Sequence, residues 1–405
     1  MSELSYLEKL MDGVEVEWLP LSKVFNLRNG YTPSKTKKEF WANGDIPWFR
    51  MDDIRENGRI LGSSLQKISS CAVKGGKLFP ENSILISTSA TIGEHALITV
   101  PHLANQRFTC LALKESYADY FDIKFLFYYC FSLAEWCRKN TTMSSFASVD
   151  MDGFKKFLIP RPCPDNPEKS LAIQSEIVRI LDKFSALTAE LTAELTAELS
   201  MRKKQYNYYR DQLLSFKEDE VEGKRKTLGE IMKMRAGQHI SAHNIIERKE
   251  ESYIYPCFGG NGIRGYVKEK SHDGEHLLIG RQGALCGNVQ RMKGQFYATE
   301  HAVVVSVMPG INIDWAFHML TAMNLNQYAS KSAQPGLAVG KLQELKLFVP
   351  SIERQIYIAA ILDKFDTLTN SITEGLPREI ELRQKQYEYY RDMLFSFLKP
   401  EVAEA

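Results

Sequence analysis

The sequence is short of the features that mark most chemistry. Lys and Arg number 51 against 50 Asp and Glu, so the whole chain exerts almost no long-range pull on phosphate, and any nucleic-acid face must be a local patch. Its seven cysteines (Cys71, Cys110, Cys130, Cys137, Cys163, Cys257 and Cys286) form no C-x-x-C pair and leave one over. That argues against a disulfide framework and against structural zinc, and for reduced thiols. No apolar run approaches a membrane span, and the opening Met1-Ser2-Glu3-Leu4 is acidic, without a signal-peptide core; a cytoplasmic protein is expected. There is no G-x-x-x-x-G-K-[ST], no G-x-S-x-G, and no spacing of Cys, His and Asp that singles out a catalytic group. Asn166-Pro167-Glu168 lacks the second proline and the aromatic of an adenine methyltransferase pocket. No catalytic residue and no metal ligand is assigned.

What is present is material for two cores. At 405 residues, 44% apolar and 25% charged, the chain exceeds what one hydrophobic core usually organises, and two globular domains are expected.

The chain also repeats itself. Ile180–Thr188 reads ILDKFSALT and Ile361–Thr369 reads ILDKFDTLT; Arg202–Phe216 reads RKKQYNYYRDQLLSF and Arg383–Phe397 reads RQKQYEYYRDMLFSF. Both pairs share one offset of 181 residues, with 18 of 24 positions identical, which establishes a duplication. Between the matched pieces apolar residues recur every four positions: Leu187, Leu191, Leu195 and Leu199 in one copy, Leu368, Ile372, Leu376 and Ile380 in the other. That stripe predicts a helix buried along one face, running over Leu171–Phe216 for roughly 70 Å at 1.5 Å per residue. The second copy contains Gly375 and Pro377, and because Pro377 cannot donate to the carbonyl four residues back, a kink or short break is expected there. Each helix needs a partner, and its duplicate is the nearest; chain order then makes them antiparallel, with a module at each end.

The modules resemble each other more weakly. Leu21–Gly30 aligns with Leu228–Gly237, Ile84–Gly93 with Leu277–Gly287 across one gap, and Asn105-Gln106-Arg107 with Thr299-Glu300-His301. Each module closes on an apolar run before proline, Phe157–Pro160 and Leu347–Pro350. Short β-branched runs punctuated by Gly and Asn predict mixed α/β modules with several strands.

Two motifs suggest other chemistry. Gly260-Asn261-Gly262-Ile263-Arg264-Gly265 fits G-x-G-x-x-G, but a dinucleotide site needs a helix opening at its last glycines, whereas Tyr266-Val267-Lys268 reads as strand. A hairpin turn is expected. His239/His243 and His272/His276 have i, i+4 spacing without a helical pattern or an acidic third ligand, and read as loop or DNA-facing histidines.

The remaining signal is loop chemistry suited to base edges, where Arg, Asn, Gln, Thr and Ser form directed hydrogen bonds. The candidates in the first module are Arg28, Asn29, Tyr31, Thr32, Thr88, Thr91, Gln106, Arg107, Ser144 and Ser145; in the second they are Arg235, Gln238, His239, Asn261, Arg264, Arg281, Gln282, His301 and Gln334. On the helices, Lys204, Gln205, Tyr209 and Arg210 recur as Lys385, Gln386, Tyr390 and Arg391. They are either two equivalent partner-docking sites or the residue of a recent duplication.

Two variable modules, each followed by the same helix, resemble the specificity subunit of type I restriction-modification systems over essentially the whole chain. The carriers are Ile46-Pro47-Trp48-Phe49-Arg50, Phe258-Gly259-Gly260-Asn261-Gly262, the paired ILDKF segments and the Thr-Ala-Glu-Leu run, the last similar to the type IC subclass. The resemblance implies an α+β protein: two α/β target recognition domains, 1–165 and 223–352, joined by two long antiparallel helices of a coiled coil within conserved regions 166–222 and 353–405, with an internal pseudo-two-fold. It implies a non-catalytic chain reading a split, asymmetric DNA site. Its helices would seat two methyltransferase subunits that bind S-adenosylmethionine, with motor subunits that use ATP and Mg, and no cofactor on this chain. Leu187, Leu191, Leu195 and Leu199 would then lie in the spacer between the two readers. A coiled-coil adaptor without DNA recognition shares the helices and is separated by salt-dependent, sequence-selective binding.

Overall fold

The computed structural model describes residues 13–142, 147–216, 221–283, 285–331, 335–371 and 373–396. Contacts divide the chain into two units. One holds the chain through Leu191 together with the segment from Arg383 onward; the other is Thr192–Leu382.

In the first unit, Val16–Pro20 pairs antiparallel with Leu158–Pro162 and ties the start of the module to its end. Between them lies a five-stranded sheet ordered Phe25–Asn29, Phe108–Leu113, Ser83–Ser87, His95–Ile98, Ile60–Leu61. Every residue of Ser83–Ser87 and of His95–Ile98 is buried, because both faces of the sheet are covered, and a strand covered on both faces reads as an unbroken apolar run. The two-residue period still sorts the side chains. Ile84 and Ile86 enter the core beneath the helix Ile123–Lys139, while Leu85 joins Trp48, Phe49 and Phe79 in a second core on the other face. Asp122 starts that helix by accepting from the amides of Lys124 and Phe125.

The second unit repeats the plan with one strand fewer in its main sheet: Met232–Ala236, Ala302–Val307, Glu275–Gly280, Val289–Lys293. Leu277 and Ile279 face the helix Ile313–Ala322, and Leu278 packs with Phe258 and Phe296 on the opposite side. Both modules also contain a parallel pair off the main sheet, Trp48 beside Leu103 and Cys257 beside Tyr297.

The long helix spans Pro167–Leu214, 48 residues, beginning four residues before the predicted start and ending two before the predicted end. Asn166 accepts from the Lys169 amide at 3.0 Å, and Pro167 comes next, where its missing N–H costs nothing. Asn166-Pro167-Glu168 is therefore a helix start. The duplicate is broken into Ile352–Asn370 and Leu376–Leu394. The break lies upstream of Pro377, which sits in the first turn of the second piece. Its cause is Gly375, at φ +82°, where a Cβ would lie 2.5 Å from the Thr367 carbonyl oxygen, together with Ser371, whose hydroxyl accepts from the Thr373 and Glu374 amides.

The leucine stripe is not the buried face that the sequence suggested. Leu187 is 51% exposed, and Leu191, Leu195 and Leu199 are only half-buried. Residues four apart advance about 400° around a helix, so a strict four-residue repeat drifts by about 40° per step and winds off any one face. Ile372 of the other stripe lies outside the described residues.

Within each unit the start of one helix meets the end of the other. In the first, Phe184 stacks on Tyr390 (5.4 Å between centroids, 2° between planes) and Ser185 donates to the Tyr387 hydroxyl oxygen at 3.0 Å. Climbing one residue in one segment descends three in the other, the sense of an antiparallel pair. In the second unit Tyr209 stacks on Phe365 at 5.5 Å. Phe184 and Phe365, and likewise Tyr209 and Tyr390, are related by the 181-residue offset, so the two junctions are duplicates.

Candidate nucleic-acid interface

Loops at one end of each sheet carry most of the predicted base readers. In the first module the chain leaves strand Phe25–Asn29 through Gly30, whose amide donates to the Phe108 carbonyl, and the Tyr31 amide donates to Ala104, each at 2.8 Å. A Cβ at Gly30 would lie 2.1 Å from the Asn105 carbonyl oxygen, so only glycine lets this loop pass so close to the next. The second module repeats the passage: Gly237 donates to Ala302 and Gln238 to Ala298, and a Cβ at Gly237 would lie 2.3 Å from the Thr299 carbonyl oxygen.

That passage brings Thr32 and Gln106 side by side, hydroxyl to amide oxygen. The Thr88 amide donates to the Arg107 carbonyl at 2.9 Å, and Thr109 links the Thr88 hydroxyl to the Asn29 side chain at 3.0 Å on each side. Arg28 is committed within the module: its guanidinium donates to the carbonyls of Leu78 and Lys77 and lies over the Phe79 ring. Tyr31 donates to Ala72 and accepts from the Lys74 amide. In the second module His239 meets Glu300 at 3.0 Å, Gln282 meets His301 at 2.6 Å, and Arg281 donates to the Glu300 carbonyl. Asn261 occupies the Gly260–Asn261 turn of a hairpin closed by Gly259 opposite Gly262, and accepts from Asn288. Arg235 and Arg264 project from strands, and among the described residues no hydrogen bond joins them to this cluster. Ser144, Ser145 and Gln334 lie outside the described residues.

A cleft of about 830 Å³ adjoins the first module's loops, lined by Thr32, Thr91, Gln106 and Arg107, by the cations Lys35, Lys38, Arg50 and Arg55, and by Trp41 and Trp48. Sequence reasoning missed these four cations; their one local signal is the run from Lys35 to Lys38. Fully buried Asp53 accepts from the Arg50 and Leu65 amides at 2.6 Å each, fixing the turn that carries Arg50, Asp52 and Arg55.

The histidines are structural where they are buried. His95 is held between the Phe127 and Phe131 rings with Nδ1 at 3.1 Å from the Gly93 carbonyl, and burial, aided by the Arg59 charge, pushes it down to about 3. His102 lies between Phe49 and Phe79, and burial pushes it down to about 4 against the pull of its bond to the Val100 carbonyl. His272 and His276 pack on Phe296. Among the described residues no group of His, Cys, Asp and Glu is placed to hold a metal, and no helix is long and apolar enough to cross a membrane.

On the helices, Tyr209, Tyr390 and Arg391 are engaged inside the chain, the last over the Phe131 ring at 4.4 Å. Arg210 lies over Tyr206. Gln205 and Gln386 accept from Arg202 and Arg383, the same pair at both sites, and Lys204 and Lys385 are exposed. Intrachain packing thus accounts for the recurrence of the aromatic and arginine positions.

Two modules of one sheet plan, each closed by the same duplicated helix junction, define a subunit built to present two loop clusters. The chain belongs to the type I restriction modification DNA specificity domain family, which it matches over residues 13–201 and 220–382. It is 40% identical over 440 aligned positions, 99% of each chain, to the specificity subunit of the type I restriction enzyme EcoR124I/EcoR124II from Escherichia coli. A putative type I restriction enzyme specificity subunit from Haemophilus influenzae is 30% identical over 97% of this chain and 98% of its own. A chain solved in work on complex assembly and conformational transition of the type I R-M system shares the fold, with a TM-score of 0.62 at 14% identity over 94% of this chain and 97% of that one. The chain is a specificity subunit, the DNA-recognition component of such a system and not its catalytic one.

Proposed function

We propose that each module reads one half of a split, asymmetric DNA site, and that the duplicated helices set the unread spacer and seat two methyltransferase subunits. Those partners carry S-adenosylmethionine, and motor subunits joined through them carry ATP and Mg. The assembly works in the cytoplasm. The observation that carries this reading is the duplication of the junctions: Phe184 on Tyr390 and Tyr209 on Phe365 give each loop cluster an equivalent mount, as a two-part reader requires.

The Thr-Ala-Glu-Leu run fits a type IC-like subunit. One such unit adds four residues, lengthening a straight helix by roughly 6 Å and rotating its distal part by about 40°, against about 3.4 Å and 34° per base pair of B-DNA. Deleting Thr192–Leu195 in a chain co-expressed with its methyltransferase, then mapping methylated adenines across the host genome, tests this. A spacer shortened by one or two base pairs with unchanged half-sites is expected; an unaltered spacer, or altered half-site bases, refutes it.

A further inference from the structure

We propose that Lys35, Lys38 and Arg55, which line the first module's cleft, are a clamp for the DNA sugar–phosphate backbone next to the half-site which that module reads. The proposal rests on the DNA-reading function of the module.

Three observations converge. First, Lys35, Lys38, Arg55 and Arg107 are exposed around one cleft, and among the described residues none of the four side chains is held in an ion pair. The cleft has one carboxylate, Asp52, and the Arg50 guanidinium lies 3.6 Å from it. In a chain whose charges cancel to +1, this is a local concentration of unpaired positive charge, the form in which a near-neutral protein can hold a polyanion. Second, Thr32, Thr91 and Gln106 line the same cleft, so hydrogen-bonding side chains and cations share one space. A strand whose base edges meet Thr32 and Gln106 carries its phosphates past the lysines. Third, the segments that carry these cations are rigidly mounted. Buried Asp53 pins the Arg50 and Leu65 backbones, and Trp41 packs edge-on against Trp48, with centroids 5.0 Å apart, while the Trp41 indole donates to the Ser34 carbonyl beside Lys35. The lysines and Arg55 themselves reach no base-reading partner in the fold, and an ammonium is a point charge, suited to phosphate more than to the two-pronged pattern of a base edge.

The clamp makes a prediction that base reading does not. Phosphate contacts act through counterion release, each contributing about 0.9 to the slope of log K against log salt and nothing to the choice of sequence. In the complex co-expressed with its modification subunits, K35Q/K38Q/R55Q should lower that slope by about 2 to 3. The loss of affinity between ~50 and ~200 mM salt then becomes about 40-fold smaller than in the unaltered complex. Cognate duplex and duplexes mismatched in the first half-site should weaken by the same factor, and the methylated sequence should be unchanged. K35R/K38R/R55K, which keeps the charges, should retain the slope and guards against a folding defect in the first variant. An unchanged slope in the glutamine variant with sequence preference intact overturns the clamp and leaves the DNA-reading function standing. A changed methylated sequence also overturns it, by making these residues base readers. Absence of sequence preference in the unaltered complex would instead sink the function on which the clamp rests.

Discussion

Acid should destabilise the first module before its carboxylates titrate. His95 and His102 are buried to 1% and 0% exposure, and both are held far below the ordinary value of 6.5, to about 3 and about 4. Among the described residues their Nε2 atoms have no hydrogen-bond partner, so a proton there enters a site without a polar neighbour to receive it. The unfolded chain binds protons on these rings below pH 6.5 and the native chain does not, so native stability is complete above that pH and falls as pH drops through it. At pH 5 each ring is about 1.5 pH units below its unfolded value and still neutral in the fold, a loss of about 2 kcal/mol apiece and about 4 kcal/mol together. With a urea dependence of about 2 kcal/mol per molar, the unfolding midpoint should fall by about 2 M between pH 7.5 and pH 5. Tryptophan fluorescence reports it, because Trp18, Trp41, Trp48 and Trp136 lie in this module and Trp315 in the other. A midpoint that moves by less than ~0.3 M would mean that these rings titrate normally, and the argument from their burial would fail.

The same structure sets other outcomes. Tyr390→Ala removes the ring stacked on Phe184 and should destabilise the first unit by about 1–2 kcal/mol; Tyr209→Ala should do the same to the second, with hydrogen exchange locating each loss in the named unit. Gly30→Ala drives a Cβ into the Asn105 carbonyl and should displace the Gln106 loop, relaxing discrimination in the first half-site by about tenfold or more while leaving the second alone; duplexes mismatched in one half-site at a time measure it. Ala90 holds φ +65° in the loop where the other module has Gly283 at φ +90°, so Ala90→Gly should raise stability by about 0.5 kcal/mol in a urea titration, and a loss would contradict the strain.

The sequence carried the duplication, the long helix, the hairpin at Gly260–Asn261 and the correspondence of the modules, because each is written in local spacing or in repeated letters. It misled where a pattern has a geometry of its own: leucines at every fourth position drift around the helix, so Leu187 ends exposed. The sequence predicts a break at Gly375 and Pro377; it belongs to Gly375 with Ser371 and not to the proline, since a proline in the first turn of a helix disturbs nothing. The site was legible only as a class of residues. Thr32 and Gln106 stand 74 positions apart, and nothing local announces that glycine packing brings them together. The cleft takes its lining from five stretches of chain, which single-sequence spacing cannot assemble. Arg28 looked like a reader because arginine beside asparagine and glycine suits a base edge; the fold ties it to the carbonyls of residues 77 and 78.

The closing of the first unit by the helix Leu376–Leu394 and the residue after it has a consequence for synthesis. Leu394 and Phe395 are buried in the first module's core, with Phe395 against Phe125 and Tyr129 at 5.4 and 5.5 Å. The first module therefore waits for residue 395 to be made before its hydrophobic interior is sealed. A nascent chain stalled near residue 380 exposes Phe125 and Tyr129, so a prematurely terminated product is a substrate for chaperones and proteases.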